Sequence, residues 1–518
     1  MMERLSFLHP EIALFIGTCV VMVVGLSPKV DVRRTCAGLA LGFLLLAGAL
    51  AVGTTPENTT GPAPNLMGYV KGIVALVGAM LVLLVAGTVD RREEALLARG
   101  RGVFDPLRTN RAEFWAFFLF SLTGVMLCAS APDLVWLFLA LELTSLPTYV
   151  MVTISSHRTR SQEAGVKYFF LGALGAATFL YGFALIYGSA GSTRLDEIAL
   201  AWATDGLSPL ATLGLLLSVV GIGFKIAAVP MHFYTPDVYE GAGATVAAFL
   251  AFVPKTAGFV ALILVVSCAG WSHGPGGEAL PGEVRVALWV MAAMTMTVGN
   301  VLAILQSNVR RILAYSSIAH SGYMLVGVIA GPGDGTLARN GISAVLFYLL
   351  AYGAANVGAF GVLACLERRG RGGEPEEIET VDDLRGLCRT RPWLGWAMVA
   401  CSLSLLGFPP LVGFFAKVPL LTSAMGAGEA ALAVVLALNS AIGAYYYLRL
   451  ARAALLDDPT GEPAESAPFP TRFAAAGLSL IAVVALSLAA EPFLRASRHA
   501  GVVVSPEADH GSEPHAGH

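Results

Sequence analysis

Fourteen apolar runs divide the 518-residue chain from end to end, each near the roughly 20 residues that a helix needs to cross a ~30 Å hydrocarbon layer. They cover 9–28, 35–53, 68–88, 113–131, 133–153, 165–190, 207–231, 242–268, 285–306, 309–330, 340–366, 393–423, 428–451 and 473–490. A membrane offers no water to satisfy backbone N–H and C=O groups, so runs of this length must cross it as helices. Composition agrees: apolar residues make up 56% of the chain and charged residues 13%, against about 25% charged in a soluble domain. The mean hydropathy is +0.70. The expected fold is an all-α polytopic membrane protein with about fourteen transmembrane helices. Residues 11–27 read as a retained first span, because no basic stretch and cleavable apolar core precede them.

Two runs carry a break. The long run 393–423 contains Pro409-Pro410, and 207–231 has Pro230 shortly after Lys225. Broken helices at membrane depth are tolerated where the freed backbone lines a cavity inside the protein. Loop charge gives the orientation. The loops after odd-numbered spans hold 22 basic residues, while those after even-numbered spans hold Arg194, Arg285 and Arg339. Cationic loops stay in the cytoplasm, so odd loops are expected inside and both termini outside. One missed span would scramble this alternation.

Several function classes drop out. A net charge of −3 does not suit a nucleic-acid partner. The seven cysteines show no metal or disulfide spacing and read as apolar filler within helices. There is no phosphate-binding loop, no dinucleotide or flavin fingerprint and no metal motif. The polar segment 367–391, with Glu374, Glu376, Glu377, Glu379, Asp382 and Asp383 beside its arginines, reads as a solvated cytoplasmic loop with a surface helix; docking onto a soluble partner is the alternative. The tail 499–518, with histidines 499, 510, 515 and 518, reads as a disordered polar extension.

The charges inside the spans carry the chemistry. The chain has six lysines and 27 arginines, and the arginines crowd into loops. Five lysines, Lys71, Lys167, Lys225, Lys255 and Lys417, lie within or at the edge of apolar runs. An ammonium near the bilayer centre costs roughly 2.5–3.5 kcal/mol, and lysine, unlike arginine, can give up its proton when desolvated. Glu142 lies about ten residues into the fifth span, too deep to snorkel, and Lys225 at the span 7 break is its natural partner. Lys255 follows Pro254 within the eighth span, and Lys417 lies in the broken twelfth. His232 after the first break and His320 in the tenth span could relay protons near neutral pH. Lys167 lies near the cytoplasmic end of its span, where proton transfer and snorkelling both fit. Lys71 is expected to snorkel from an end of span 3. To exchange its proton near neutrality a lysine must drop about three pH units, or about 4 kcal/mol, which burial can supply. A carboxylate beside the ammonium holds the proton, and withdrawing that carboxylate frees it. The pattern points to proton movement through a membrane, driven by an ion gradient or by partner subunits.

Spans 4–8 and 9–13 repeat one plan. Gly221-Ile222-Gly223-Phe224-Lys225 before Pro230 matches Leu406-Gly407-Phe408-Pro409-Pro410 before Lys417. An offset of five spans makes the second unit inverted, and inverted repeats with broken helices mark transport folds. The expected organisation is an N-terminal three-helix region over 1–112, a first repeat over 113–268, an inverted repeat over 285–451, and a last helix with its tail over 473–518.

At these residues the chain resembles the N-type antiporter-like membrane subunits of bacterial respiratory complex I, the NADH:quinone oxidoreductase. The resemblance runs over nearly the whole length. Its most specific stretch is Gly223-Phe224-Lys225 through Pro230-Met231-His232-Phe233-Tyr234-Thr235-Pro236-Asp237-Val238-Tyr239-Glu240-Gly241-Ala242. Leu141-Glu142-Leu143, Lys167-Tyr168-Phe169, Arg311 through His320, and Gly407-Phe408-Pro409-Pro410 through Lys417 also match. The resemblance implies that Glu142 and Lys225 form an ion pair, that Lys255 is a central connecting lysine and that Lys417 ends a half-channel, all on one hydrated axis along the membrane plane. It implies no cofactor in this subunit, with FMN, Fe–S clusters, NADH and quinone handled by partners in the complex. Where the family usually has proline after Gly241-Ala242, this chain has Gly243-Ala244, a change expected to loosen the start of span 8. The same architecture serves subunits of multi-component cation/proton antiporters and membrane-bound hydrogenases, but Thr235-Pro236-Asp237-Val238-Tyr239 favours the first assignment.

Overall fold

The computed structural model describes residues 7–52, 62–98, 105, 109–155, 159–273, 279–336, 338–369, 375–459 and 464–503. Histidines 510, 515 and 518 lie outside the described residues. An N-terminal group comprises α1 (His9–Gly25), α2 (Val30–Val52), α3 (Leu66–Val85) and the short α4 (Arg91–Ala98). Next come α5 (Arg111–Ala129), α6 (Leu134–Ile154), α7 (Thr159–Ala190), α8 (Leu195–Asp205), α9 (Pro209–Lys225), α10 (Thr235–Gly241) and α11 (Gly243–Ala269). A second series holds α12 (Gly282–Ile304), α13 (Val309–Ala330), α14 (Gly341–Ala364), the single turn α15 (Leu387–Thr390), α16 (Pro392–Leu406), α17 (Val412–Gly426) and α18 (Ala430–Leu455). The chain closes with α19 (Pro470–Leu488) and α20 (Ala490–Ala500).

Among the described residues, eleven helices are long and apolar enough to cross a membrane. The shorter α1, the interrupted α9 and the α16–α17 pair supply the other three of the fourteen expected crossings. Both expected breaks are present: α9 stops at Lys225, α16 stops at Leu406, and each break contains a cis X–Pro bond, Val229-Pro230 and Pro409-Pro410. α8 and α20 were not anticipated. Both are short and amphipathic, with one buried stripe each, Leu195, Ile198 and Trp202 on α8 and Leu494 and Ser497 on α20. Their apolar content is too small to register as a span.

α11 and α14 are the axis of the molecule. Both are buried around their whole circumference, as expected for helices that are apolar on every side, and they pack against each other. The other helices form a shell, and small residues let that shell close tightly. A Cβ on Gly221 of α9 would sit 2.4 Å from the Phe179 nitrogen of α7, and one on Gly299 of α12 would sit 2.6 Å from the Ala319 nitrogen of α13. Small residues at helix crossings are the usual device of membrane packing.

Among the described residues, the segment 367–391 contains no surface helix beyond a 3-10 turn at Val381–Leu384 and the single turn α15. Instead β1 (Leu366–Arg369) pairs antiparallel with β2 (Pro375–Glu377) on one side and β3 (Glu465–Ser466) on the other. Glu374 and the side chain of Glu376 lie outside the described residues, and several of the other acids are engaged within the chain. Glu367 pairs with Arg91 at 2.5 Å, Asp383 with Arg368 at 2.5 Å, and Glu377 and Glu379 with Arg310 at 3.1 and 3.0 Å. Glu377 also accepts the Ala244 N–H at 3.0 Å. The start of α11 is therefore capped and not loosened: Gly243 has φ +77°, a value closed to proline, and the carboxylate satisfies one of the free N–H groups behind it.

Candidate functional site

In the first repeat, the helix break ends α9 at Lys225, whose ammonium turns inward onto α6. Lys225 Nζ lies 2.9 Å from Glu142 Oε1 and 2.6 Å from Ser145 Oγ. The Lys225 side chain is 1% exposed and that of Glu142 17%. Ser145 sits one turn beyond Glu142 on the same face, so α6 offers a carboxylate and a hydroxyl to one ammonium. The Phe179 ring closes the other side, its centroid 5.5 Å from Nζ.

The break also connects this pair to the second repeat. The carbonyl of Ile226, next after Lys225, accepts the Ser321 hydroxyl of α13. One turn back, Ser317 accepts from Lys255 of α11 at its carbonyl oxygen and also at Oγ, the latter at 2.8 Å. Lys255 Nζ lies 4.8 Å from the Tyr352 ring centroid, and Tyr239 OH is 3.4 Å from Ser317 Oγ. Among the described residues no carboxylate pairs with Lys255. Its charge rests on a carbonyl, a hydroxyl and an aromatic face.

His320, one turn along α13 from Ser316, is held at both ring nitrogens. Nδ1 is 2.6 Å from Tyr348 OH and Nε2 is 2.7 Å from Tyr447 OH. Tyr447 OH also bonds Ser316 Oγ. The edge of Tyr323 lies against His320 with ring centroids 5.6 Å apart, and Lys417 Nζ sits 4.7 Å from the Tyr323 centroid. Lys417 donates to the Leu406 carbonyl at 2.7 Å, the last residue of α16. Partial negative charge collects at a helix C-terminus, so the second break presents that charge to the lysine beyond it. Glu142, Lys225, Lys255, His320 and Lys417 thus lie on one buried polar line. Ser317, Ser321 and the Ile226 carbonyl lie between Lys225 and Lys255, and the rings of Tyr352 and Tyr323 lie between Lys255, His320 and Lys417.

Three of the residues singled out in the sequence lie off this line. Lys71 does not snorkel: its side chain is 0% exposed, and Nζ meets Glu11 at 2.8 and 3.0 Å and the Phe7 carbonyl at 2.6 Å. Glu11 is buried too, and Ser130 donates to it at 3.2 Å. This pair joins α1 to α3 against the end of α5, and a charged partner within reach makes inward burial cheaper than extension to the surface. Lys167 is 44% exposed and pairs with Glu163 at 2.8 Å and Asp237 at 2.9 Å. His232 is buried with its ring on Phe233, and its Nδ1 has no hydrogen-bond partner among the described residues. Sequence reasoning missed Glu11 and the tyrosines 323, 348, 352, 446 and 447. The spacing of Ser316, His320 and Tyr323 at i, i+4 and i+7 is a polar stripe that a helical reading of α13 could have found.

A membrane bundle with two broken helices and a buried row of lysines defines a class of ion-translocation subunits, and comparison gives that class its family. The chain belongs to the NADH:quinone oxidoreductase/Mrp antiporter transmembrane family, which matches residues 131–443. Within it the chain is similar to NADH-quinone oxidoreductase subunit N. The protein of that name numbered 1 in Rhizobium meliloti is 36% identical over 471 residues, covering 90% of this chain and 92% of that one. Subunit N of Trichlorobacter lovleyi is 39% identical, covering 86% of each. A chain of respiratory complex I from Thermus thermophilus superposes with a TM-score of 0.75 at 33% identity, covering 94% of this chain and 98% of that chain. A chain of the Mrp complex from Dietzia sp. superposes at 0.77 with 20% identity, covering 98% and 99%, a likeness of fold alone.

Proposed function

We propose that the chain is a proton-translocating, non-redox membrane subunit of an NADH:quinone oxidoreductase, moving protons along Glu142, Lys225, Lys255, His320 and Lys417 while quinone is reduced elsewhere in the complex. The observation that carries this reading is the row of Glu142 and buried Lys225, Lys255, His320 and Lys417, joined by hydrogen bonds and aromatic contacts by way of α11 and α13. Identity of 36–39% to named subunit N proteins supports this assignment over a cation/proton antiporter or a membrane-bound hydrogenase.

The paired state of Glu142 and Lys225 holds a proton. Withdrawing the carboxylate leaves an ammonium in an apolar site, and the proton then leaves for the next hydroxyl or amine along the line. One charge moved against 100 mV requires about 2.3 kcal/mol, within the reach of making or breaking one such pair. His232 and Lys167 have weaker support: His232 is buried off the line of charges, and Lys167 lies at the surface beside Asp237. FMN and Fe–S clusters would reside in partner subunits, with the other membrane subunits as direct neighbours. The excess of basic residues in odd-numbered loops supports a cytoplasmic side for them, external termini and an inner-membrane location.

The test is NADH-driven proton uptake by inside-out vesicles carrying Lys225→Met, with assembly followed on a native gel. The expected result is an assembled complex whose pumping and coupled NADH oxidation collapse. An assembled complex that pumps at the normal rate would remove Lys225 from the pathway.

A further inference from the structure

Asn300 of α12 is wholly buried, in a place cleared for it. A Cβ on Gly443 of α18 would come within 3.0 Å of Asn300 Oδ1, and the close approach of α12 and α13 at Gly299 brings the amide against Tyr323. Its side chain is bonded on every side. Nδ2 donates to the Met296 carbonyl at 2.9 Å and to Tyr323 OH at 2.9 Å, and faces Asn439 Oδ1 at 3.3 Å; Oδ1 accepts from Tyr446 OH at 3.0 Å.

These partners fix the orientation of the amide. The Met296 carbonyl can only accept, so the nitrogen must face it and the oxygen must face Tyr446. Tyr446 is therefore committed as a donor. Tyr323 receives at its oxygen and keeps its own hydrogen for another partner. Held at its hydroxyl by the amide, Tyr323 has the position of its ring fixed, and the same amide fixes Tyr446.

Tyr323 is the residue between the two titratable groups of the second repeat. Its ring meets His320 at 5.6 Å and lies 4.7 Å from Lys417 Nζ. Tyr446, the other partner, packs on Tyr447 with ring centroids 4.4 Å apart, and Tyr447 bonds His320 Nε2 at 2.7 Å. Among the described residues no hydrogen bond joins Asn300 to His320 or Lys417, yet Asn300 joins the aromatic supports of both. Resting on the function proposed above, we infer that Asn300 is a positioning residue for proton transfer between His320 and Lys417, acting through Tyr323.

The test is the assembled complex in inside-out vesicles, comparing Asn300→Leu, Tyr323→Phe, the double variant and Lys417→Met. Met294→Leu, an exposed position on the same helix, is the control. Asn300→Leu keeps the volume and removes both hydrogen-bonding functions. Coupled NADH oxidation and proton uptake should fall about tenfold, the order expected for one lost buried hydrogen bond. Tyr323→Phe should do the same, and the double variant should be no worse than either single one. A residue that matters only for packing would give additive losses in the double variant, and that result overturns the inference. So does normal pumping by Asn300→Leu while Lys417→Met is inactive. Normal pumping by Lys417→Met would instead remove the parent reading. If leucine prevents assembly, Asn300→Ala takes its place with the same outcomes.

Discussion

Replacing Glu142 by glutamine keeps the shape of the side chain and removes its charge. Lys225 would keep Ser145 Oγ at 2.6 Å and the Phe179 face at 5.5 Å, but lose the carboxylate at 2.9 Å. Stripping one partner from a buried ion pair costs about 3–5 kcal/mol. An upper bound comes from letting the lysine give up its proton: an ordinary lysine at pH 7 lies about 3.4 units below its pKa, or about 4.6 kcal/mol. Glu142 is 17% exposed, so part of its field is screened already. The lower end, about 3 kcal/mol, is the better figure for the stability lost. The assay is proton uptake and NADH oxidation by Glu142→Gln, Lys225→Met and the double variant, with thermal inactivation of the assembled complex measured in parallel. Both single variants should lose coupled activity. In thermal stability the double variant should lose less than the two single losses combined, because it leaves no buried charge unpaired. Normal pumping by Glu142→Gln, or additive stability losses, would refute the switch and leave the pair as an ordinary structural contact.

Lys71→Met should hinder assembly, with a stability loss of about 3–5 kcal/mol because it strands the buried Glu11. Lys167→Met, at an exposed pair, should cost about 1 kcal/mol or less; equal effects on a native gel would contradict the burial difference. Gly407 has φ +86°, and a Cβ there would sit 2.8 Å from Lys417 Cδ. Gly407→Ala should therefore assemble with a strain of about 1–2 kcal/mol and pump several-fold more slowly. Unchanged pumping would show that the Lys417 position at the second break is not critical.

What was legible in the sequence follows from how costly each feature is in a membrane. Lys225, Lys255, Lys417 and Glu142 stand out because a charge inside an apolar run is rarely tolerated without use, and the prolines beside Lys225 and Lys417 mark the breaks that α9 and α16 show. Glu11 escaped notice because it lies at the first turn of α1, where an acid looks like an interfacial residue; only the fold reveals that Lys71 reaches it. The hydroxyls and rings between the charges were hidden for another reason. Tyr348 and Tyr352 come from α14, Tyr446 and Tyr447 from α18, and Ser317 and His320 from α13. No single helix announces a network shared among three. The short α8 and α20 are amphipathic but too short and polar to register as spans.

The two repeats hold their lysines by different means, and the difference bears on where the proposed cycle can be driven. In the first, the ammonium faces a carboxylate on a side chain of α6, which can change rotamer or be neutralised by a proton. In the second, Lys417 faces the Leu406 carbonyl at the end of α16 and the Tyr323 ring. Neither of those can be withdrawn without moving backbone or breaking the Asn300 clamp. A carboxylate carries a whole charge, while a helix C-terminus carries about half of one. On the proposed function, the first repeat is therefore where a signal from a neighbouring subunit can act electrostatically, and Glu142, with part of its side chain at the surface of the chain, is placed to receive it. The second repeat can respond only by receiving protons from Lys255 of the first through Ser317 and His320. A defect at Glu142 should then abolish the dependence of pumping on NADH oxidation, whereas a defect at Tyr323 or Asn300 should slow proton delivery and leave that coupling intact.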